Sequence, residues 1–386
     1  MNMRPEMDVI GEETLVRWTQ DFVRHPSPQT DLFEAEPQVQ TFIDEVAKLV
    51  ASLGLEGRRD AMGNLIVEVG EGKTDRSLML MAYAMTHPAS AMKDPYDGII
   101  VEREGKRAVR GRGVSEQKGS LAASLAATVA AARKGISGRL VFTVSTAGET
   151  GRHDAAEAII KDLGYVPKLG VVVIGTSGKA TLGNKGRLDV EITAHGRASH
   201  SSTPWEGVNA IEGLRQVLNQ LGSVAFEAGN HPGLGQATLT PTYVESMPRA
   251  THTVQAKAHL RVDRRLLPGQ EPDLALGEIR AALSLPEPWR LDVEPGPFMY
   301  PCEISPEGPL VTAIRAGCRK MGVKEPELSW SHGALDAGYL QEIGCEPTMW
   351  GPGSIDLWHR DEEYILVDDL VDGARAYLGL IEETVS

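Results

Sequence analysis

Histidine and acidic side chains lie in four short segments of this 386-residue chain that could carry chemistry. Glu116 lies in GRGVSEQKG, Glu149 in STAGETG, His200 in GRASHSS and His359 in DLWHRDEEY. Carboxylates and imidazoles can ligate divalent ions and can move protons near neutral pH. The segment VDRRLLPG adds Arg265, whose guanidinium is a natural bidentate partner for a carboxylate. The roles of these groups depend on the elements that position them.

Hydrophobic patterning predicts the elements around the first of these segments. Residues 77–84 are almost continuously apolar, as in a strand that is covered on both faces. A glycine-rich turn at 111–119, an alanine-rich helix from about 119 to 134 and a strand at 139–145 follow. This order of strands and helices predicts an α/β layered sheet.

A different pattern begins near residue 186, where apolar and polar residues alternate as in half-exposed antiparallel strands. The order strand, helix, strand, strand, helix, strand that follows is a split βαβ arrangement. A chain of this length also favours two domains. We therefore predict a discontinuous α/β domain of residues 1–185 plus 298–386, with an inserted small α+β domain of residues 186–297.

The composition excludes several classes of protein. The net charge of −14 is spread along the chain, so no nucleic-acid partner is expected. Three cysteines without metal-like spacing favour a reducing compartment, and we expect a cytoplasmic protein. The sequence shows neither a secretory signal nor an apolar run long enough to span a bilayer, so no membrane association is expected.

Five segments together identify a family resemblance. They are GRGVSEQKGSLAA (111–123), GRASHSSTPWEGVNAI (196–211), VDRRLLPG (262–269), LDAGYLQEIG (335–344) and GPGSIDLWHRDEEYI (351–365). Over about residues 12–382 the chain resembles the two-zinc aminoacylase, desuccinylase and carboxypeptidase family. The resemblance implies a mixed-sheet, zinc-exopeptidase-like catalytic domain with a ferredoxin-like lid and dimerisation domain. It also implies hydrolysis of an amide next to a free carboxylate, with a water held between two zinc ions.

Several positions depart from this family. Tyr83 stands where the resemblance implies the first metal-binding histidine, and Met85 where it implies the supporting aspartate. Thr176 replaces a metal-binding acid, for which a hydroxyl is a poor substitute. His87 shares the strand face of Tyr83. It is either part of a new site or a histidine bound by loop backbone.

The paired glutamates of the family, a base followed by a ligand, fall on STAGETG. One alignment places Gly148 at the base and Glu149 at the ligand. A shift of one residue makes Glu149 the base and Thr150 the ligand. Under either alignment one of the two carboxylates is missing, so Glu149 is expected to be a base or a ligand but not both.

Other family positions keep suitable groups. Glu116 falls on the bridging aspartate, although it could instead accept backbone N–H bonds at the start of the alanine-rich helix. His359 falls on the last metal ligand. Glu116, Glu149 and His359 could therefore hold one zinc or manganese ion, and a metal-free site is an equal alternative. Candidate catalytic residues are Glu149, His200, Tyr83 and Glu116.

The substrate-binding positions are better preserved than the metal positions. The resemblance implies that His200 acts across a homodimer interface on the developing oxyanion, and that Arg265 binds a substrate carboxylate. Arg265 could also belong to a solvated surface pair. The further candidates for substrate binding are His252, His332, Gly353 and His87.

Three hypotheses about function follow. The first is a divergent amidohydrolase that cleaves an amide or carbamoyl-like C–N bond of a small carboxylated substrate, with one metal ion or none. The second is a metal-independent lyase or isomerase that uses the same pocket. The third is a non-catalytic binding homologue, which is disfavoured because random decay should also have eroded His200 and His359.

Overall fold

The computed structural model describes residues 8–29, 37–148, 151–227 and 229–386. The chain divides into two compact units. The first unit comprises Met1–Gly183, Glu303–Trp330 and Leu335–Ser386, and the second comprises Asn184–Cys302 and Ser331–Ala334. Within the described ranges, none of the helices is long and apolar enough to cross a membrane.

The helices and strands of the described residues are numbered here in chain order. The helices are α1 (Glu12–Val23), α2 (Pro37–Ser52), α3 (Gly119–Lys134), α4 (Asp154–Leu163), α5 (Ala210–Leu221), α6 (Pro272–Ala282), α7 (Pro309–Met321), α8 (Ala337–Glu342) and α9 (Val367–Thr384). The strands are β1 (Gly57–Arg59), β2 (Leu65–Val69), β3 (Ser77–Tyr83), β4 (Ile99–Arg103), β5 (Lys106–Arg110), β6 (Arg139–Ser145), β7 (Leu169–Val173), β8 (Ala180–Asn184), β9 (Gly186–His195), β10 (Ser199–His200), β11 (Thr238–Met247), β12 (Thr253–Val254), β13 (Lys257–Leu266), β14 (Arg290–Met299), β15 (Cys302–Glu303), β16 (Leu328–Ser331), β17 (Glu346–Trp350) and β18 (Tyr364–Leu366).

The main sheet of the first unit has the strand order β1–β2–β6–β3–β7–β17. Strand β3 runs parallel to β6 and β7, and β17 runs parallel to β7, whereas β1 and β2 form an antiparallel edge. Every residue of β3 is buried, which agrees with its continuous apolar sequence. The carboxyl ends of the four parallel strands lie at one edge of the sheet, where α/β proteins place their ligand sites.

Small residues allow the helices of the first unit to approach closely. The alanine-rich helix α3 is buried along most of its length and packs against α1 and α9. Helices α7 and α9 meet at two glycines, and a Cβ atom at Gly379 would lie 2.4 Å from the carbonyl oxygen of Gly317. This packing fixes the start of α3, which the glycine-rich loop at 111–119 precedes.

The second unit contains a four-stranded antiparallel sheet of order β11–β13–β9–β14. Burial alternates along β13, so its apolar residues lie on one face. These residues and those of β9 form one core with apolar residues of α5 and α6, including Val190, Ile192, Leu260, Val262 and Leu214. The order β9, α5, β11, β13, α6, β14 with this topology is ferredoxin-like. The predicted fold class, a mixed α/β sheet with a ferredoxin-like α+β insertion, is confirmed.

Candidate active site

The glycine-rich loop before α3 is held by a buried carboxylate from a distant part of the chain. The backbone N–H groups of Gly113, Ser115 and Glu116 donate hydrogen bonds to Glu363 at 2.8, 2.9 and 3.2 Å. A buried amide left without a partner costs about 1–3 kcal/mol. The three bonds therefore fix the loop backbone. The sequence suggested that Glu116 could accept backbone N–H bonds here, but it is Glu363 that accepts them.

Arg112 partly balances the charge of Glu363. Its buried guanidinium lies 3.3 Å from the carboxylate and donates to the carbonyl oxygens of Arg360 and Ala89, both at 3.0 Å. Burial has the largest effect on the pKa of Glu363 and raises it to about 7. The Glu116 carboxylate also raises this pKa, while the loop amides and Arg112 lower it. Two carboxylates are thus held close together beneath the loop.

Glu116 and His359 form the central pair of the candidate site. His359 Nε2 lies 3.2 Å from Glu116 Oε1, and the side chains are 40% and 2% exposed, respectively. His359 has a φ angle of +61°, a left-handed conformation that residues other than glycine rarely adopt. Such strain occurs at functional sites where the surrounding structure imposes it. The pair offers an accessible imidazole supported by a buried carboxylate, which can accept and release a proton.

His87 lies beside this pair. Its ring stacks on the His359 ring, with centroids 4.2 Å apart and an interplanar angle of 18°. His87 Nδ1 lies 2.9 Å from the carbonyl oxygen of Pro88. Because a carbonyl oxygen only accepts, Nδ1 carries the proton and Nε2 is left as an acceptor in the neutral ring. His87 is therefore hydrogen-bonded to loop backbone and is also in contact with His359.

Gly148 lies against Tyr83 and Met85 at the end of β3. Tyr83 is fully buried, and its hydroxyl donates a 2.7 Å hydrogen bond to Asp336 Oδ2. A Cβ atom at Gly148 would lie 2.8 Å from two ring carbons of Tyr83 and 2.7 Å from Cε of Met85. Any larger residue at position 148 would therefore collide with Tyr83 and Met85. A tyrosine at position 83 therefore requires a residue without a side chain at position 148.

The loops that follow β7 and β17 are bonded to each other. The Thr176 hydroxyl donates to the carbonyl oxygen of Lys179 at 2.6 Å and accepts from the backbone N–H of Gly351 at 3.2 Å. Gly353 has a φ angle of +95°, and a Cβ atom there would lie 2.1 Å from the carbonyl oxygen of Ser115. Thr176 therefore has a structural role, and Gly353 is required for close packing against the glycine-rich loop.

In the second unit, His200 and His252 lie near each other, with ring centroids 5.9 Å apart. His200 Nδ1 accepts a hydrogen bond from the backbone N–H of Ser202 at 3.2 Å. An accepting Nδ1 leaves the proton of the neutral ring on Nε2. This tautomer presents a donor, which is what an oxyanion requires. The structure brings the two predicted residues together, and their roles stay predictions.

Arg265 is oriented by other residues of the second unit. Its Nε and Nη2 atoms donate to the two oxygens of Asp263 at 2.8 and 3.0 Å, and Nη1 lies 3.4 Å from the carbonyl oxygen of His332. Arg187 also approaches Asp263, at 3.5 Å. Arg265 is thus part of an ion-pair network, and it meets the predicted residue His332 through the backbone of that residue.

The chain belongs to peptidase family M20/M25/M40, whose model matches residues 86–383. YgeY of Escherichia coli is 28% identical over 275 residues, which are 69% of this chain and 65% of YgeY. This chain therefore spans about two thirds of the length of that relative. The acetylornithine deacetylase of Vibrio atlanticus is 26% identical over 317 residues, or 79% of this chain and 80% of that protein.

A solved structure shows the same fold. The M20 family metallo-carboxypeptidase Sso-CP2 from Sulfolobus solfataricus has a TM-score of 0.76 at 16% identity, and the match covers 95% of this chain and 98% of that one. The resemblance to aminoacylases and carboxypeptidases that the sequence indicated is confirmed at the level of the family.

Two positions at which the resemblance implies metal ligands carry hydroxyl groups that are bonded within the protein. The hydroxyls of Tyr83 and Thr176, at two expected ligand positions, donate to Asp336 and to backbone, respectively. Within the described ranges, no group of three or more histidine, cysteine or acidic residues is arranged to hold an ion. Of the three ligands predicted for a single ion, Glu116 and His359 lie together. The third, Glu149, lies outside the described residues, as does Thr150, so the choice between the two alignments stays a prediction.

Four residues that pattern analysis did not assign contribute to the site. Glu363 and Arg112 hold the glycine-rich loop, and Asp336 bonds to Tyr83 and to His153. Glu363 lies four residues after His359 in the quoted HRDEE run, and Asp336 lies in LDAG. Both motifs were visible, but which distant groups their carboxylates would meet could not be read from spacing. His153 lies in no motif that would have indicated it.

We expect Glu363→Gln to destabilise the protein and to disorganise the loop. One oxygen that accepts amide hydrogen bonds would become an NH₂ group, and Arg112 would lose the buried carboxylate nearest to it. Breaking a buried ion pair in this way costs about 3–5 kcal/mol of unfolding free energy. Urea unfolding followed by circular dichroism would measure the loss.

The neighbouring exposed Glu362→Gln is the matched control, with an expected change within about 0.5 kcal/mol. Equal unfolding midpoints for the two variants would contradict the role of Glu363.

Proposed function

We propose that this protein hydrolyses an amide or carbamoyl-like C–N bond of a small carboxylate-bearing substrate. Membership of a peptidase family supports hydrolysis of an amide-type bond. The observation that carries the proposal is the pair formed by the accessible imidazole of His359 and the buried carboxylate of Glu116. Carboxylate and imidazole groups held at hydrogen-bond distance are the usual means of general acid–base catalysis.

Hydrolysis of such a bond requires a proton to be moved twice. A base takes a proton from water while the water oxygen bonds to the carbonyl carbon, and the nitrogen receives a proton as the C–N bond breaks. His359, with Glu116 stabilising its charged form, can take the proton and deliver it. The stacked His87 ring restricts the orientation of the His359 ring. Glu149 stays a second candidate for the base.

A substrate with a free carboxylate suits two groups of the second unit. Arg265 is kept in a fixed orientation by Asp263, so little conformational entropy would be lost when its guanidinium binds a carboxylate. The tautomer of His200 leaves Nε2–H as a donor for a developing oxyanion. The candidate residues His252 and His332 lie near these two groups in the same unit.

A panel of N-acetyl-, N-succinyl- and N-carbamoyl-amino acids would test this function by the release of free amine. We expect Glu116→Gln and His359→Asn to lower kcat by about 10²- to 10⁴-fold, because each removes one half of the acid–base pair. His195→Asn is the matched control, since His195 also bonds to a carboxylate, Asp292, at 2.8 Å but lies in the second unit. Wild-type kcat in both site variants would contradict the assignment. A product without ¹⁸O from labelled water would favour elimination or isomerisation over hydrolysis.

We also propose that the site holds at most one divalent ion, zinc or manganese. In a metal-bound site the ion would be held by Glu116 and His359, with Glu149 as the expected third ligand, and the acid–base role of His359 given above belongs to the metal-free site. When bound it would polarise the scissile carbonyl as a Lewis acid. Elemental analysis of the purified protein should give no more than one equivalent per chain, because the hydroxyls of Tyr83 and Thr176 are already bonded within the protein. Two tightly held equivalents, both lost with activity on chelation, would contradict this proposal.

A homodimer formed through the second unit is a further part of the proposal. Strand β11 is an edge strand, and Val244 on it is 60% exposed. Helix α5 contacts β11 and exposes Ile211 and Leu218. Unpaired strand edges and exposed apolar patches are typical of protein interfaces.

Sedimentation should give about twice the chain mass of 41.7 kDa for the wild type. We expect the double variant Val244→Lys and Leu218→Glu to be monomeric, because it places charges in the apolar patch. Leu274→Glu is the control, since Leu274 is 68% exposed on α6 of the same unit. A monomeric wild type, or equal dissociation by the control, would rule out this interface.

A further inference from the structure

Asp336 is a buried carboxylate that joins two other side chains of the first unit. Its Oδ2 atom accepts the Tyr83 hydroxyl at 2.7 Å, and its Oδ1 atom lies 2.7 Å from Nδ1 of His153. All three side chains are almost inaccessible to water. A buried charge is tolerated only when it is paired and hydrogen-bonded. The two short contacts therefore allow the Asp336 carboxylate to be buried.

The contact with Asp336 defines the state of the His153 ring. A carboxylate accepts and does not donate, so Nδ1 of His153 carries the proton. The ring also stacks on Tyr339 of α8, with centroids 5.5 Å apart and an interplanar angle of 27°. Asp336 is the residue that precedes α8, and His153 is the residue that precedes α4. The chain of bonds therefore links the end of β3 to the starts of two helices.

Tyr83 and Asp336 contact residues near both described ends of the connection between β6 and α4. Gly148, at one end, packs against the ring of Tyr83, and His153, at the other, is bound by Asp336. Tyr83 itself is paired with Ser145 at the end of β6. The two ends of this connection are thus fixed by the same pair, Tyr83 and Asp336. The family resemblance implied a metal ligand at position 83 and, in one of its two alignments, a base at position 148.

We propose that Asp336 and His153 are positioning residues for the hydrolysis, acting through Tyr83 on the end of β3, from which the chain continues to His87 beside His359. The inference rests on the proposed function. The hydrogen-bond chain gives the end of β3 a fixed geometry without a metal ligand at position 83. None of the three side chains needs to touch the substrate, since all are buried.

Kinetics on the best substrate of the panel test the proposal. We expect Tyr83→Phe and Asp336→Asn to lower kcat by about 10- to 100-fold with little change in KM, because small displacements of reacting groups cost rate more than binding. The matched control is Tyr165→Phe, which removes another tyrosine hydroxyl bonded to a carboxylate, that of Glu68 at 3.0 Å. Tyr165 precedes β7, at the opposite edge of the sheet, and the control should keep wild-type kcat. Wild-type kcat in Tyr83→Phe and Asp336→Asn would overturn the proposal.

Two variants of His153 separate positioning from proton transfer. The amide of His153→Asn can donate to Asp336 from nearly the place of Nδ1, whereas His153→Leu cannot donate. We expect the asparagine variant to keep most of the activity and the leucine variant to lose it. Equal losses in the two variants would mean that the imidazole itself is needed, and positioning would be the wrong role.

A measurement without substrate separates this proposal from the proposed function. In protein labelled with ¹⁵N-histidine, NMR should show a slowly exchanging ring N–H that disappears in His153→Asn. It should shift in Tyr83→Phe and not in Tyr165→Phe. The absence of that resonance would overturn the hydrogen-bond chain whatever the activity. If the resonance is present and the wild type hydrolyses no compound of the panel, the proposed function fails and the chain of bonds stands.

Discussion

The site depends on the hydrogen bonds between Glu363 and the glycine-rich loop before α3. The loop turns its backbone N–H groups inward, where water cannot satisfy them. A carboxylate is suited to this place because its two oxygens can accept several donors at once. Burial of the charge is offset by Arg112 and by those amides. The loop held in this way carries Glu116, whose Oε1 atom lies 3.2 Å from Nε2 of His359.

The side chains around the end of β3 are connected by packing and hydrogen bonds. Tyr83 occupies the space next to position 148, so a tyrosine at this place on β3 requires a glycine at 148. The phenol needs a buried acceptor, which Asp336 supplies, and Asp336 in turn holds His153. Thr176 is bonded to neighbouring backbone. The side chains of Tyr83, Asp336 and His153 are therefore all hydrogen-bonded although they are buried.

The sheets of the two units position their side chains in different ways. The parallel sheet of the first unit brings loops from several strands to one edge, so groups far apart in sequence can meet there. In the antiparallel sheet of the second unit, one face packs on α5 and α6 and the other carries paired charges. Arg265 illustrates the second case, since Asp263, two residues earlier on the same strand, fixes its guanidinium. Such pairs orient side chains more than they stabilise the fold.

The sequence by itself determined the fold class and the family, because apolar periodicity and five ordered motifs are local properties of the chain. It also indicated Glu116 and His359, since both lie in such motifs. Only the tertiary structure decided that Glu363 holds the loop, that His87 stacks on His359, and that Tyr83 bonds to Asp336. The partners in these contacts are far apart along the chain, with separations of 253 residues for Tyr83 and Asp336 and 248 residues for Ser115 and Glu363. Periodicity carries no information about which distant groups share a buried space, and that sharing sets the chemistry of the site.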